Sequence, residues 1–214
     1  HLQGKILDKH IAITGSKSET NRLLLLKALY PNITVSNASE SDDSTVLQKA
    51  LARSNALIDV HHAGTAMRFL TAYFALQEGR EVILTGSQRM KERPVQLLVD
   101  ALRSLGADIE YKEKKGYPPL AIKGKKLQGG KTSMRANVSS QYITALLLTG
   151  SKLEKGLELT LEGQITSMPY ILMTLKLLDE VGIKVKFEQN VITIAPQPEI
   201  KNRQSRIIIE SDWS

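Results

Sequence analysis

The feature that most constrains the fold is a helix that recurs along the chain. Val95-Gln-Leu-Leu-Val-Asp-Ala-Leu-Arg-Ser-Leu-Gly-Ala-Asp-Ile returns loosely as Ile171-Leu-Met-Thr-Leu-Lys-Leu-Leu-Asp-Glu-Val-Gly-Ile-Lys-Val, with a weaker copy at Thr45-Val-Leu-Gln-Lys-Ala-Leu-Ala-Arg-Ser-Asn-Ala-Leu-Ile. Each copy is an amphipathic helix stopped by Gly or Asn and followed by an alternating strand. A unit repeated in this way buries its apolar face against its neighbours, so the copies must stack on a common core. Apolar periodicity supplies the remaining elements. Strands are predicted at 10–15, 32–37, 56–60, 81–86, 108–112, 120–123, 131–136, 157–162, 184–187 and 191–194, and helices at 18–30, 43–53, 65–77, 94–105, 140–151 and 169–181. The strand pairs that close the second and third rounds argue for mixed sheets and against a doubly wound parallel sheet. The expected architecture is α+β: three βαβαββ units packed as one domain over residues 11–206. Residues 1–10 are a lead-in segment, with His1 read as a tag remnant. The strand finishing near Ile207 makes residues 207–214 read as the start of a crossover to a second domain, and the chain as truncated.

Composition narrows the class further. The chain is 42% hydrophobic but only 5% aromatic, so its core must be aliphatic. No apolar run approaches the roughly 20 residues of a membrane span. Cysteine is absent, which removes disulfides, thiolate metal sites and cysteine nucleophiles and fits a cytoplasmic setting. A formal net charge of +7 points to anionic partners. Lys114-Lys115 and the lysines between 123 and 126 lie in polar, Gly-flanked stretches, as solvated turns do. The other cations stand singly beside Gly, Ser and Thr, which suits a discrete anion pocket better than a nucleic-acid stripe.

Five helix starts carry this chemistry. In Ile13-Thr-Gly-Ser-Lys-Ser-Glu-Thr-Asn-Arg22, a strand, a Gly turn and a helix start offer free N–H groups and a helix dipole to an anion. Ser18 is the candidate N-cap, Arg22 lies one turn on, and Lys17 adds a point charge. The spacing is not that of a Walker loop. Ala63-Gly-Thr-Ala-Met-Arg68 follows, preceded by His61-His62, two histidines too few for a zinc site. Gly86-Ser-Gln-Arg-Met-Lys-Glu-Arg-Pro94 brings Arg89, Lys91 and Arg93, with Pro94 expected at the first helical position. Val138-Ser-Ser-Gln-Tyr142 and Thr166-Ser-Met-Pro-Tyr170 supply hydroxyls. Ordinary capping accounts for each start alone. Five aimed at one face describe a pocket for a small polyanion, with no Ser-His-Asp set, metal cluster or nucleotide fingerprint.

These residues, in this order, resemble the N-terminal half of the 5-enolpyruvylshikimate-3-phosphate synthase family. Gly15-Ser-Lys-Ser-x-x-Asn-Arg22, Ala63-Gly-Thr-Ala-Met-Arg68, Arg89-Met-Lys-Glu-Arg-Pro94, Tyr117-Pro-Pro-Leu120, Val138-Ser-Ser-Gln-Tyr-Ile-Thr-Ala-Leu-Leu147 and Ser167-x-Pro-Tyr-Ile171 carry the likeness, which runs from about Ile11 to Ser214. It implies one half of an inside-out α/β barrel with an active site between two domains. The implied reaction joins shikimate 3-phosphate to phosphoenolpyruvate without metal or cofactor. It also implies that Ser18, Arg22, Ser139, Ser140, Ser167 and Tyr170 contact shikimate 3-phosphate. Gln141 would lie near both substrates. Lys17, Gly64 and Arg93 would serve the phosphoenolpyruvate side, where glyphosate binds in susceptible members, and Lys17 would be catalytic. His62 stands where the family usually has Asn, and Ser211-Asp-Trp213 departs from the usual Gly-Asp plus a small residue. The family's acid–base carboxylates belong to the other half, so this chain is expected to bind without turning over.

Two readings compete. A UDP-N-acetylglucosamine enolpyruvyl transferase usually has Asn after the first-loop lysine and a reactive Cys loop, whereas Ser18 follows Lys17 here and cysteine is absent. A basic nucleic-acid-binding module requires cations interleaved with stacking aromatics, a pattern the six Tyr and three Phe do not make. No nucleic acid and no membrane are expected as partners.

Overall fold

The computed structural model describes residues 13–200 and 205–211. The lead-in segment, residues 10–12 of the first predicted strand, and Asp212 to Ser214 of the crossover lie outside the described residues. The chain runs α1 (Lys17–Leu29), β1 (Ile33–Ser36), α2 (Asp42–Ala52), β2 (Leu57–Asp59), α3 (Gly64–Ala75), β3 (Glu81–Thr85), α4 (Gln88–Lys91), α5 (Gln96–Ser104), β4 (Asp108–Tyr111) and β5 (Leu120–Lys123). It continues through β6 (Gly130–Arg135), α6 (Ser140–Gly150), β7 (Leu157–Glu162), α7 (Met168–Glu180), β8 (Val185–Glu188), β9 (Val191–Ile194) and β10 (Ser205–Ile208).

The repeat is realised as two sheets of the same topology, ordered β2-β3-β5-β4 and β6-β7-β9-β8. In each, a parallel pair joined by a crossover helix is extended by two antiparallel strands. Helices α5 and α7 both end at glycines with positive φ, Gly106 and Gly182, as the repeat predicts. The N-terminal unit differs from expectation. Among the described residues no strand pair of its own closes it; β1 pairs in parallel with β10, from Ile33↔Ser205 to Ser36↔Ile208. The expected boundary at residues 206–207 therefore falls inside a strand.

Alternation explains the layering. Strand β3 is buried at every second residue, so it shows one face to the core and one to solvent. Helices α3 and α6 are instead buried almost all round and pack against each other at the centre. The core is aliphatic as composition requires, with Tyr30, Phe69 and Phe74 its large buried rings. Among the described residues the three sheets remain separate and no barrel closes. No described helix is long and apolar enough to cross a membrane.

One local expectation is corrected. Pro94 does not open a helix: Ser87 caps the extra turn α4, and α5 begins at Gln96 with Val95 as its N-cap. Tertiary bonds set that start. The Pro94 carbonyl accepts from Arg68 and from the Tyr142 hydroxyl, and the Val95 N–H donates to Gly116 O at 2.9 Å.

Candidate functional site

The starts of α1, α3 and α6 and the first turn of α7 converge on a cavity of about 380 Å³. Its wall contains Lys17, Ser18, Arg22, Gly64, Arg93, Ser139, Ser140, Gln141 and Tyr170, nine of the ten residues singled out from sequence. Ser167, the tenth, is absent from that wall; it is the N-cap residue of α7, with no capping bond from its side chain.

The α1 loop is held from the far end of the chain. Gly15 bridges to Ser211, Ser16 N–H donates to Glu210 O at 2.9 Å, and the Ser211 hydroxyl donates to Ile13 O at 3.3 Å. A Cβ at Gly15 would stand 2.0 Å from Asn37 O and 2.7 Å from Ile209 Cγ2, so only glycine fits. With Ser16 held by this pairing, α1 starts at Lys17 and Ser16 is its N-cap, not Ser18 as expected. The Ser18 carbonyl accepts from Arg22 instead.

Arg22 is only 5% exposed. Its Nε donates to Thr174 Oγ1 at 2.9 Å, Nη1 to Ser18 O at 2.7 Å, and Nη2 to Thr144 Oγ1 at 3.2 Å and Tyr170 O at 3.5 Å. All four acceptors are neutral. Burial pushes its pKa down to about 10, against the opposing pull of Tyr170 and Glu19. None of the ion pairs among the described residues involves Arg22, Lys17, Arg68 or Arg93. A buried guanidinium without a carboxylate is costly to the fold alone and attractive to an anion.

On the opposite wall the guanidinium of Arg93 lies against Gly64, whose hypothetical Cβ would meet Arg93 Nη1 at 2.4 Å. Arg68, 3% exposed, ties the two segments together by donating to Gly64 O at 3.0 Å and Pro94 O at 3.3 Å. Its Nε has no partner, and burial lowers its pKa, with neighbouring Arg93 adding repulsion. Between the walls, Gln141 Nε2 donates to Thr65 Oγ1 at 3.1 Å, and the Thr65 hydroxyl lies 3.5 Å from Asp43 Oδ2. Ser139 caps α6, accepting from Gln141 N.

His62 lines this cavity and a neighbouring one that contains Arg89 and Arg93. His61 serves a tight turn, with φ of 50° and its amide bonded to Asp59 Oδ1 at 2.7 Å. Among the described residues no three His, Cys, Asp or Glu side chains come together as a metal site. Sequence reasoning did not single out Asn21, Asp43, Thr65 and Phe69 as wall residues. It also missed Thr144 and Thr174, which lie one turn beyond Ser140 and Tyr170, and the tying role of Arg68. The available signal was helical spacing: a hydroxyl at i+4 from a functional helix start faces the same way.

Residues 32–214 match the family model described as EPSP synthase (3-phosphoshikimate 1-carboxyvinyltransferase). A 3-phosphoshikimate 1-carboxyvinyltransferase of Bacteroides fragilis is 47% identical over 207 residues, covering 95% of this chain and 49% of the relative. One of Haemophilus influenzae is 41% identical over 205 residues, covering 82% and 48%. Among solved structures, EPSP synthase of Acinetobacter baumannii superposes with a TM-score of 0.79 at 21% identity, covering 94% of this chain and 49% of that one. The enolpyruvyl transferase NikO of Streptomyces tendae gives 0.66 at 14%, covering 96% and 52%; both likenesses concern the fold. The chain thus spans about half the length of the curated relatives it matches. With the model covering most of its residues and such relatives beside it, the chain belongs to the EPSP synthase (3-phosphoshikimate 1-carboxyvinyltransferase) family.

Proposed function

We propose that this chain forms the wall that binds shikimate 3-phosphate and phosphoenolpyruvate in a 3-phosphoshikimate 1-carboxyvinyltransferase. The observation that carries the reading is Arg22: a buried cation at the cavity wall, held only by neutral acceptors. Ser139 and Ser140 at the start of α6, with Ser18, Ser167, Gln141 and the half-exposed Tyr170 ring, take the sugar phosphate and its ring. Lys17, Gly64 and Arg93 take phosphoenolpyruvate. Hydroxyls and helix-start N–H groups cradle phosphate without adding charge, and the arginines neutralise it.

In the reaction, phosphoenolpyruvate gains a proton at its methylene carbon and the 5-hydroxyl of shikimate 3-phosphate attacks the adjacent carbon. The hydroxyl gives up its proton as the new C–O bond forms a tetrahedral intermediate, and loss of a proton from the new methyl group and of phosphate restores the double bond. Lys17 and Arg93 stabilise the charge on that intermediate. Holding two substrates in register supplies a further part of the rate. Proton transfers belong to groups in the other half of the full-length enzyme, so the present chain binds without turning over. A cytosolic setting, expected from the cysteine-free composition, belongs to the same reading.

Calorimetric titration with shikimate 3-phosphate at low salt tests it. The expected result is saturable heat that Arg22→Ala abolishes. Saturable heat unaffected by that change sinks the assignment.

A further inference from the structure

Arg22 reaches two buried hydroxyls on different helices, Thr144 on α6 and Thr174 on α7, both 0% exposed. Their protons have a defined order. Thr174 Oγ1 donates to the Tyr170 carbonyl at 2.7 Å, which leaves its lone pairs for Arg22 Nε and for Thr144, 3.3 Å away. Thr144 must then be the donor in the Thr–Thr contact, and its own lone pair accepts from Arg22 Nη2. The hydroxyl chain thus ends on the backbone of the α7 first turn and presents only acceptors to the guanidinium. A carboxylate at either position would hold Arg22 as well, but would also cancel its charge.

We propose that Thr144 and Thr174 are positioning residues that fix Arg22 through neutral acceptors, leaving its charge uncompensated and available to the substrate anion. This rests on the reading of Arg22 as the contact for the substrate anion. Two neutral acceptors on separate helices set the guanidinium plane, and Ser18 O sets its edge. The compensating negative charge comes from the ligand. Packing alone does not require this arrangement, because a valine fills the same volume as a threonine.

The test compares wild-type chain, Arg22→Ala, Thr174→Val, Thr144→Val, Thr174→Ser and Thr174→Asp in titrations with shikimate 3-phosphate, with melting temperatures measured in parallel. Losing a hydrogen bond to a charged group is expected to weaken binding about tenfold in either valine variant, while Thr174→Ser stays within about twofold of wild type. Thr174→Asp is expected to bind at least as poorly as Thr174→Val while melting no lower, because its carboxylate pairs with Arg22 and occupies the place of the ligand charge. If Thr174→Asp keeps wild-type affinity, the threonines merely brace Arg22 and the proposal fails. It fails too if both valine variants bind as wild type while Arg22→Ala does not. Absence of saturable binding by the wild-type chain, or binding that survives Arg22→Ala, overturns the functional reading itself.

Discussion

An ideal Cβ on Gly64 would stand 2.4 Å from Nη1 and 2.9 Å from Cζ of Arg93, so the guanidinium occupies the space a methyl group needs. Because the obstacle is the far end of a flexible side chain, alanine there should displace Arg93 and leave the helix intact. We expect Gly64→Ala to weaken phosphoenolpyruvate about tenfold, the worth of one charge-assisted hydrogen bond, with shikimate 3-phosphate affinity unchanged. Titration of each ligand separates the two sides of the cavity; equal losses would contradict this division. The motif around Gly64 was legible in sequence because glycine followed by threonine at a helix start is local chemistry. Its use as a seat for Arg93, 29 positions away in the numbering, was not.

The start of α1 depends on an element remote in sequence. Glu19, in the first turn, has its pKa raised by burial and by the Glu210 carboxylate, while a backbone bond from Glu210 pulls the other way. A carboxyl with a folded pKa above its unfolded value of 4.5 contributes stability below pH 4.5, and loses it as pH rises through the folded value. At pH 7 the charged Glu19 therefore weakens the contact between α1 and the segment after β10. Glu19→Gln is expected to melt higher than wild type at pH 7 and together with it near pH 4, where both side chains are neutral. Equal melting at both values would remove Glu19 from the account. Helix α1 itself was predicted to within a residue at each end, since periodicity and capping are local. Its dependence on Glu210 and Ser211 was invisible, because nothing near Ser16 encodes a partner about 195 residues away.

Across the molecule, one face of the helical layer gathers Lys17, Arg22 and Arg93, with Asp43 the single carboxylate in the cavity wall among the described residues. In the proposed reading, the proton transfers at the methylene carbon of phosphoenolpyruvate belong to the other half of the full-length enzyme. The chain incubated with both substrates is therefore expected to release no phosphate above background over many equivalents of enzyme, while still binding shikimate 3-phosphate. Sustained phosphate release would mean that this half alone performs the chemistry.

The repeat, the aliphatic core and the hydroxyl- and cation-bearing helix starts were determined by the sequence alone, since periodicity, caps and glycine stops act within a few residues. The tertiary structure alone decided that β1 pairs with β10. It also decided that Pro94 is a carbonyl acceptor ahead of α5, and that Thr144 and Thr174 hold Arg22. Each of these is a contact between residues 26 to 172 positions apart. Such contacts follow from how whole units stack, which no local pattern of residues specifies.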